Sequence, residues 1–475
     1  MQIALRLVKW LLGLAVLAVA ALAAWLYIAP PELIRVGSGY AAKIVCSNVF
    51  IAGRDADQVL AVDVQAPGHP LLRLMRVSVD REQGTVSAGL LGVFGKSVAV
   101  VRDGLGCTAV PGGDIARAKA VVGPALTPAL PLDALWPEGD KVDASQNPEI
   151  AKILDDPAMT GAGMRAVVVV KNGRIVAERY DAGFTEKTPL LGWSMTKTVN
   201  AAIVGTVVKD GKMVMTNQGL FGPWKTGGRA AISLADMMAM SSGLEFNEEY
   251  GDVTDVTRML YLEPDMAGFA GTKPLSGEVG KVFSYSSGTA VMLSRLWQDA
   301  IGDKTKALAW PRVALFDPLG MQSAMLEADE HGTFVGSSYL YATARDWARF
   351  GQFLLQDGVW NGKEILPAGF VAWMREAAPA SKVYGRGQVW IEGPGDEESP
   401  GAGIAAGLPR DSYWMEGHDG QTVAVIPSER LVVVRLGLTP AKLGYRPQIM
   451  LAALVKADSV LKVLQKALER ESRPC

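Results

Sequence analysis

The sequence predicts an α+β fold: an antiparallel sheet flanked by helices, a mostly helical lobe, a β-rich N-terminal segment and a transmembrane helix. Three observations predict it. Strand-like runs occur near both ends of residues 151–475 and helical runs lie between them. Short strand-like runs also fill residues 30–135, and an uncharged stretch lies near the start. With 475 residues, 49% of them hydrophobic, the chain can bury a large core.

Residues 1–29 are predicted to form a membrane anchor. Arg6 and Lys9 precede an uncharged run over residues 10–29, which is long enough to cross a bilayer as a helix. Positive residues before the run predict a cytoplasmic N-terminus and an exported remainder. The expected location is the inner (cytoplasmic) membrane, in a single pass, with the rest of the chain periplasmic. A cleaved signal peptide is the alternative, because Ala-Leu-Ala at 21–23 resembles a cleavage site.

Residues 30–135 are predicted to be a β-rich segment. Its Gly- and Asp-bounded apolar runs predict strands at 49–53, 59–65, 71–80, 84–92 and 97–103. The segment also holds Cys46 and Cys107, which could form a disulfide in an oxidising compartment or remain two free buried thiols. Residues 136–150 are predicted to be a linker.

Residues 151–475 are predicted to form one domain. Two apolar runs flank Asn172-Gly173, a dipeptide that suits a tight hairpin turn. A helix is predicted over 194–209, with Gly211 beyond its end. Further helices are predicted at 233–241, 288–301, 343–356 and 446–470, and strands at 385–393, 421–427 and 430–437. The strands near the two ends of the domain should therefore join in one antiparallel sheet.

Composition argues against several classes of partner. The chain has 47 basic and 49 acidic residues, a net charge of −2, which predicts no nucleic-acid binding. It has no Cys-x-x-Cys or His-x-x-x-His spacing, so no metal site and no cofactor are predicted. The membrane, through residues 10–29, is an expected partner. The oligomeric state stays open.

Ser194 and Lys197 are the first candidate for chemistry. They lie three residues apart where an uncharged helical run begins, so the Lys197 ammonium can approach the Ser194 hydroxyl on one helix face. The helix N-terminus favours negative charge on a substrate oxygen. Burial would lower the lysine pKa toward that of a useful base.

The Ser-x-x-Lys pattern by itself is weak evidence. Ser459 and Lys462 repeat it on an ordinary amphipathic helix. In the structural alternative, Ser194 caps its helix and Lys197 extends to solvent. Two further motifs follow in the chain, Tyr285-Ser286-Ser287 and His418-Asp419-Gly420. Taken singly, the first could be a strand-end tyrosine with a serine cap, and the second a turn.

In this order the three motifs resemble those of the serine β-lactamase and penicillin-binding superfamily, in its class C-like branch. The supporting stretches at 240–246, 315–329 and 332–367 most resemble the 6-aminohexanoate-oligomer hydrolase group. The resemblance covers roughly residues 150–460 and implies a β-lactamase-like fold. It does not cover the N-terminal segment.

The resemblance implies a role for each motif. Ser194 would be acylated, Lys197 would take its proton, and Tyr285, with a depressed pKa, would pass that proton to the leaving group. The backbone N–H groups of Ser194 and Gln421 would form the oxyanion hole. His418 stands where true β-lactamases have lysine, which weakens an anchor for a substrate carboxylate.

The remaining motif residues, Ser287 and Gly420, would help to bind the substrate. Ser287 replaces the commoner asparagine, which changes the contacts available to a substrate amide.

The expected function is that of a serine hydrolase, which cleaves a small-molecule ester or amide through an acyl-enzyme. A peptidoglycan D,D-carboxypeptidase or D-aminopeptidase-like enzyme is the alternative within the same chemistry. A catalytically silent envelope binding protein is the alternative from another class. The missing Gly-x-Ser-x-Gly elbow argues against an α/β-hydrolase.

Overall fold

The computed structural model describes residues 2–66, 68–125, 133–143, 147–396 and 401–457. The chain divides into two compact units. The first comprises residues 1–102, 107–121 and 249–264, and the second comprises 103–106, 122–248 and 265–475.

Helices and strands both occur throughout the described residues. The α-helices are α1 Gln2–Ile28, α2 Glu32–Phe50, α3 Ala56–Val59, α4 Ile115–Lys119, α5 Pro148–Leu154, α6 Pro157–Thr160, α7 Met195–Lys209, α8 Leu234–Met238, α9 Asp255–Leu262, α10 Met266–Gly271, α11 Ser287–Ile301, α12 Lys304–Pro311, α13 Asp317–Leu319, α14 Ala344–Leu355, α15 Phe370–Arg375, α16 Ala402–Ala405 and α17 Pro447–Ala457. The strands are β1 Met75–Asp80, β2 Thr85–Leu90, β3 Phe94–Arg102, β4 Gly106–Ala109, β5 Met164–Lys171, β6 Arg174–Tyr180, β7 Leu190–Leu191, β8 Met325–Leu326, β9 Leu340–Ala342, β10 Val359–Trp360, β11 Lys363–Glu364, β12 Tyr413–Gly417, β13 Gln421–Ile426 and β14 Leu431–Gly437.

Helix α1 is the predicted apolar N-terminal helix. Within it, residues 3–28 are long and apolar enough to cross a membrane, judged by length and composition. Its side chains are largely exposed rather than packed in a core. The helix itself is therefore confirmed, and it suits either a signal anchor or a transmembrane span.

The first unit packs α2 against the four-stranded sheet β1-β2-β3-β4. The strands predicted at 71–80, 84–92 and 97–103 are largely confirmed. Those predicted at 49–53 and 59–65 are wrong: the first covers the end of α2, and the second is helical from α3 through a π-helical stretch to Gln65. Helix α2 is buried along most of its length. Its apolar residues therefore pack in the core as part of a helix and do not form a strand.

A disulfide joins α2 to β4 in the first unit. It links Cys46 and Cys107, whose Cα atoms lie 6.1 Å apart. Of the two alternatives that the sequence left open, the structure contains the bonded pair. Both residues are fully buried.

The second unit is built on the five-stranded sheet β12-β13-β14-β5-β6, in which every neighbouring pair is antiparallel. Its strands come from both ends of the domain, as predicted. The β5–β6 hairpin turns at Asn172 and Gly173, whose φ values of 51° and 79° are those that a tight two-residue turn requires.

Helices cover both faces of this sheet. Apolar residues of α5 and α17 pack on one face, and α14 packs against β5, β13 and β14 on the other. Residues Val167–Val170 of β5 are all buried, which explains the continuous apolar run of this strand.

The predicted helices at 194–209, 233–241, 288–301 and 343–356 are confirmed as α7, α8, α11 and α14. The strand predicted at 385–393 is wrong: that segment makes only isolated bridges, one of them between Trp390 and Trp414 of β12. The helix predicted at 446–470 is described as far as residue 457. Its remainder, with Ser459 and Lys462, lies outside the described residues.

Candidate active site

The turn before α7 sets the position of Ser194. Trp193 has φ 48°, a left-handed conformation that non-glycine residues rarely adopt. Its preceding neighbour Gly192 has no room for a side chain, since a Cβ would lie 2.2 Å from the Trp347 ring. Ser194 stands at the N-cap position of α7, yet its hydroxyl makes no capping hydrogen bond. That hydroxyl is therefore available for another partner.

Lys197 lies one turn into α7 and is 1% exposed. Its Nζ is 3.0 Å from Oγ of Ser194, 3.0 Å from Oγ of Ser287 and 3.1 Å from the carbonyl oxygen of Ser337. The structural alternative of a capping serine beside a solvent-directed lysine is therefore wrong for this pair.

The surroundings of Lys197 favour its neutral form. Burial lowers the pKa of Lys197 to about 8, although the nearby Glu248 carboxylate raises it. The sequence predicted a lowered pKa, and this is confirmed. A larger fraction of neutral amine is thus available near neutral pH than for an ordinary lysine, whose pKa is about 10.4.

The aromatic ring of Tyr285 lies beside the Lys197 side chain. Its ring centroid is 4.6 Å from Nζ of Lys197, and its ring contacts those of Tyr384 and Trp390 at centroid distances of 5.7 and 5.6 Å. Burial and the charge of Glu248 raise the pKa of Tyr285, while its hydrogen bond with Ser194 lowers it. The expectation of a depressed pKa is therefore wrong, because the loss of hydration and the charge of Glu248 outweigh the hydrogen bond with Ser194.

Glu248 is a site residue that sequence reasoning missed. One of its carboxylate oxygens accepts the backbone N–H of Ser287 at 2.8 Å, and the other accepts the Ser287 hydroxyl. Both bonds come from Ser287, so its N–H and its hydroxyl face the two oxygens of the Glu248 carboxyl group. Burial raises the pKa of Glu248, while Lys197 and the two bonds from Ser287 lower it. Ser287, predicted to face the substrate, lies fully buried between Lys197 and Glu248.

Asn200 fixes the two helices that carry this network. Its side chain donates to the carbonyl of Ala290 at 2.8 Å and accepts from Ser294 at 3.1 Å and Trp297 at 3.0 Å. Asn200 lies on α7 and its three partners on α11. These bonds therefore fix α7, which carries Lys197, against α11, whose first residue is Ser287.

The third motif lies at the turn between β12 and β13. His418 is half-exposed, and its ring lies edge-on to Trp193 with the centroids 5.8 Å apart. A Cβ at Gly417 would lie 2.1 Å from the carbonyl oxygen of Gly192, so only glycine permits this approach. The end of β12 therefore runs beside the turn that precedes Ser194.

Hydrogen bonds from the side chains of Arg435 and Gln421 stabilise this turn. The buried Arg435 guanidinium donates to the carbonyl of Gly420 at 2.9 Å. The Gln421 side chain donates to the carbonyl of Gly437 at 2.6 Å and accepts its N–H at 2.8 Å. The Gln421 side chain is thus occupied by the sheet. A cavity of about 410 Å³ lies beside the turn, with His418 and Gly420 in its lining.

This geometry can support nucleophilic catalysis. The Ser194 hydroxyl lies beside a buried amine of lowered pKa, which can activate it as a nucleophile. Both lie at a helix N-terminus, which favours negative charge on the substrate oxygen. Within the part of the chain that the structure describes, no three His, Cys, Asp or Glu residues are grouped to hold a metal ion. Fold and site together define the class: a β-lactamase-fold serine hydrolase.

Comparison with known proteins gives the family. Residues 151–445 match the family model described as β-lactamase, which is more than half of the chain. The chain therefore belongs to the β-lactamase family.

Three known proteins are similar to the chain in sequence or fold. It is 24% identical over 349 residues to a 6-aminohexanoate-dimer hydrolase of Paenarthrobacter ureafaciens, which covers 66% of this chain and 80% of that protein. A putative 6-aminohexanoate-dimer hydrolase from Bacillus anthracis has a similar structure, with TM-score 0.53 and 23% identity over 66% of this chain and 82% of that one. A family VIII carboxylesterase has TM-score 0.50 and 14% identity over 66% and 98%. By their names, two of these proteins are 6-aminohexanoate-dimer hydrolases and one is a carboxylesterase.

Proposed function

We propose that the protein hydrolyses small esters or amides through an acyl-enzyme on Ser194. One observation carries the proposal. Nζ of Lys197 lies 3.0 Å from Oγ of Ser194. Because Lys197 is buried and its pKa is lowered, its neutral amine can take the proton of the Ser194 hydroxyl.

Acylation begins when Oγ of Ser194 attacks the substrate carbonyl. Lys197 accepts the hydroxyl proton as the new C–O bond forms. The carbonyl oxygen gains negative charge, and we assign the backbone N–H groups of Ser194 and Gln421 to stabilise it. The close approach of Gly417 to Gly192 supports this role, because it brings the β12–β13 turn beside the start of α7.

Collapse of the tetrahedral intermediate expels the alcohol or amine, which needs a proton. Tyr285 keeps its hydroxyl proton because its pKa is raised, so it acts here as a proton donor that Lys197 resupplies. Water then attacks the acyl carbonyl, Lys197 takes a proton from the water, and Ser194 leaves with its proton restored. The products are a carboxylic acid and a free enzyme.

The third motif favours neutral esters and amides over β-lactams. The half-exposed His418 replaces the lysine of true β-lactamases, so a substrate carboxylate would lack a permanent cation at this position. The similarity to the 6-aminohexanoate-dimer hydrolase of P. ureafaciens and to a carboxylesterase supports the same preference. The D,D-carboxypeptidase alternative requires an anchor for a terminal carboxylate and is therefore less favoured.

A substrate panel tests the proposal. We expect turnover of p-nitrophenyl esters or of aminohexanoate dimers by the native protein, little turnover of nitrocefin or D-amino-acid amides, and none by Ser194→Ala. An unfolding curve like that of the native protein would establish that the variant is folded. Equal turnover by both proteins would contradict the proposal, and inactivity of both would favour the envelope binding protein.

We also propose that α1 anchors the protein in the inner membrane with residues 30–475 outside the cytoplasm. The apolar span at residues 3–28, with the basic Arg6 and Lys9 at its start, supports it. Fractionation should recover the full-length chain in membranes. A mature chain beginning near Ala24 in the soluble fraction would contradict the anchor and establish a cleaved signal.

A further inference from the structure

The hydrogen bonds around Lys197 have a definite direction. A neutral amine offers two N–H donors and one lone pair. The carbonyl of Ser337, 3.1 Å from Nζ, can only accept, so it takes one N–H. The remaining two neighbours are the hydroxyls of Ser194 and Ser287, each 3.0 Å away and each able to donate or accept. The direction of these two bonds decides whether Lys197 can act as a base toward Ser194.

Glu248 removes this ambiguity. Its carboxylate accepts the hydroxyl proton of Ser287 and, through its other oxygen, the Ser287 backbone N–H at 2.8 Å. With its proton directed to Glu248, the Ser287 oxygen presents only lone pairs to Lys197 and takes the second N–H. The lone pair of Lys197 is then left for the hydroxyl of Ser194.

We propose that Glu248 is a positioning residue, which acts through Ser287 to direct the lone pair of Lys197 at Ser194. The inference rests on the proposed acylation of Ser194. Glu248 does not touch the reacting oxygen, and its effect passes through one hydroxyl group. Ser287 is correspondingly part of the base assembly and not a substrate contact.

Replacement of Glu248 by glutamine reverses the hydrogen bond at Ser287. A glutamine amide has one acceptor oxygen, and the Ser287 N–H, fixed at the start of α11, takes it. The amide NH₂ then donates to the Ser287 hydroxyl, whose proton turns toward Lys197 and competes with Ser194 for the lone pair. Loss of the carboxylate charge also lowers the pKa of Lys197 further, since Glu248 raises it.

A pH profile separates this role from a merely structural one. The charged and titratable groups around the site are Lys197, Tyr285 and Glu248, with Glu416 and Tyr384 near Tyr285. Glu248→Gln should lower the rate and move the acidic limb of the profile to lower pH. Glu248→Asp keeps the charge but shortens the side chain, so it should lower the rate and leave the limb in place.

The experiment measures the rate at which a fluorophosphonate labels Ser194 in the full chain. Glu248→Gln should slow labelling by about 10- to 100-fold, as loss of a group that orients a functional residue does. The matched control Glu245→Gln removes an exposed carboxylate of the same segment and should label at the native rate.

A double-variant cycle completes the test. The rates are compared on the alkaline plateau of each profile, where Lys197 is neutral and its pKa no longer affects the rate. In a Ser287→Ala background there is no hydroxyl to misdirect, so Glu248→Gln should change this plateau rate by less than about twofold, the margin for independent effects. Native-rate labelling of Glu248→Gln, or an equal loss in both backgrounds, would overturn the inference while the proposed function stands. Failure of the native chain to label would overturn both.

Discussion

The two units each contain a buried lysine whose Nζ lies within hydrogen-bond distance of a serine hydroxyl in or at the start of the same helix. In the second unit Lys197 is 1% exposed and lies 3.0 Å from Ser194. In the first unit Lys43 is 2% exposed and lies 2.9 Å from Ser47. By burial and distance alone the two pairs are equivalent.

They differ in where the serine stands on its helix. Ser47 lies within α2, and its hydroxyl donates to the carbonyl of Lys43 at 3.1 Å, so its proton is already directed to the backbone. Ser194 stands at the N-cap of α7 without a capping bond from its side chain to the backbone, at the positive end of the helix dipole. A buried Ser–Lys pair is therefore a candidate for catalysis only where the hydroxyl and the helix terminus are both available.

The largest expected effect is the replacement of the base. Lys197→Arg keeps the charge but cannot give up a proton near neutral pH. We expect kcat to fall by at least about 10²-fold, the lower end of a typical general-base contribution.

Lys43→Met is the matched control for Lys197→Arg. It should keep native kcat below its unfolding temperature, because Ser47 takes no part in the reaction. If Lys197→Arg kept more than about a tenth of native kcat, the lysine would not be the base.

The pH dependence gives the next largest effect. Because the pKa of Lys197 is lowered to about 8, the amine is protonated below that pH and loses its lone pair. We expect kcat/KM to fall about tenfold per pH unit below pH 8 and to level off above it. Tyr285 has a raised pKa, so no decline through its ionisation should occur below about pH 10, the ordinary tyrosine value. A flat profile from pH 6 to 9 would contradict the role of Lys197.

The sequence predicted the second unit better than the first. Its helices carry long periodic patterns, and Asn172-Gly173 marks a hairpin with a definite turn geometry. In the first unit, residues 49–53 and 59–65 are short apolar runs, of which the first lies at the end of α2 and the second is helical. Apolar runs of that length are found both in strands and in packed helices, so their secondary structure depends on tertiary packing.

The candidate site was predictable only where residues form local motifs. Ser194, Lys197 and Tyr285 stand in such motifs, and the structure brings them together. Glu248 comes from a loop 39 residues before its partner Ser287. It stands among other acidic residues at 245–249, so nothing local marks it. The raised pKa of Tyr285 was also beyond prediction, because its direction depends on burial.

The smallest expected effect on turnover comes from the disulfide of the first unit. Cys46→Ala with Cys107→Ala should lower the free energy of unfolding by about 2–5 kcal/mol, as loss of a native disulfide typically does. Turnover measured below the unfolding transition should stay at the native level, because neither cysteine belongs to the Ser194 site. Denaturant unfolding and kcat of the same preparation check both parts. An unchanged unfolding midpoint would contradict the predicted loss of stability. Loss of turnover in folded protein would contradict the predicted independence of the Ser194 site.

The site of covalent labelling tests the central claim most directly. The full chain is reacted with a fluorophosphonate, digested and mapped by mass spectrometry. We predict one adduct on Ser194, none on Ser47, and no adduct in folded Ser194→Ala. An adduct on Ser47 or on any other serine, or labelling that persists at the native level in Ser194→Ala, would contradict the account.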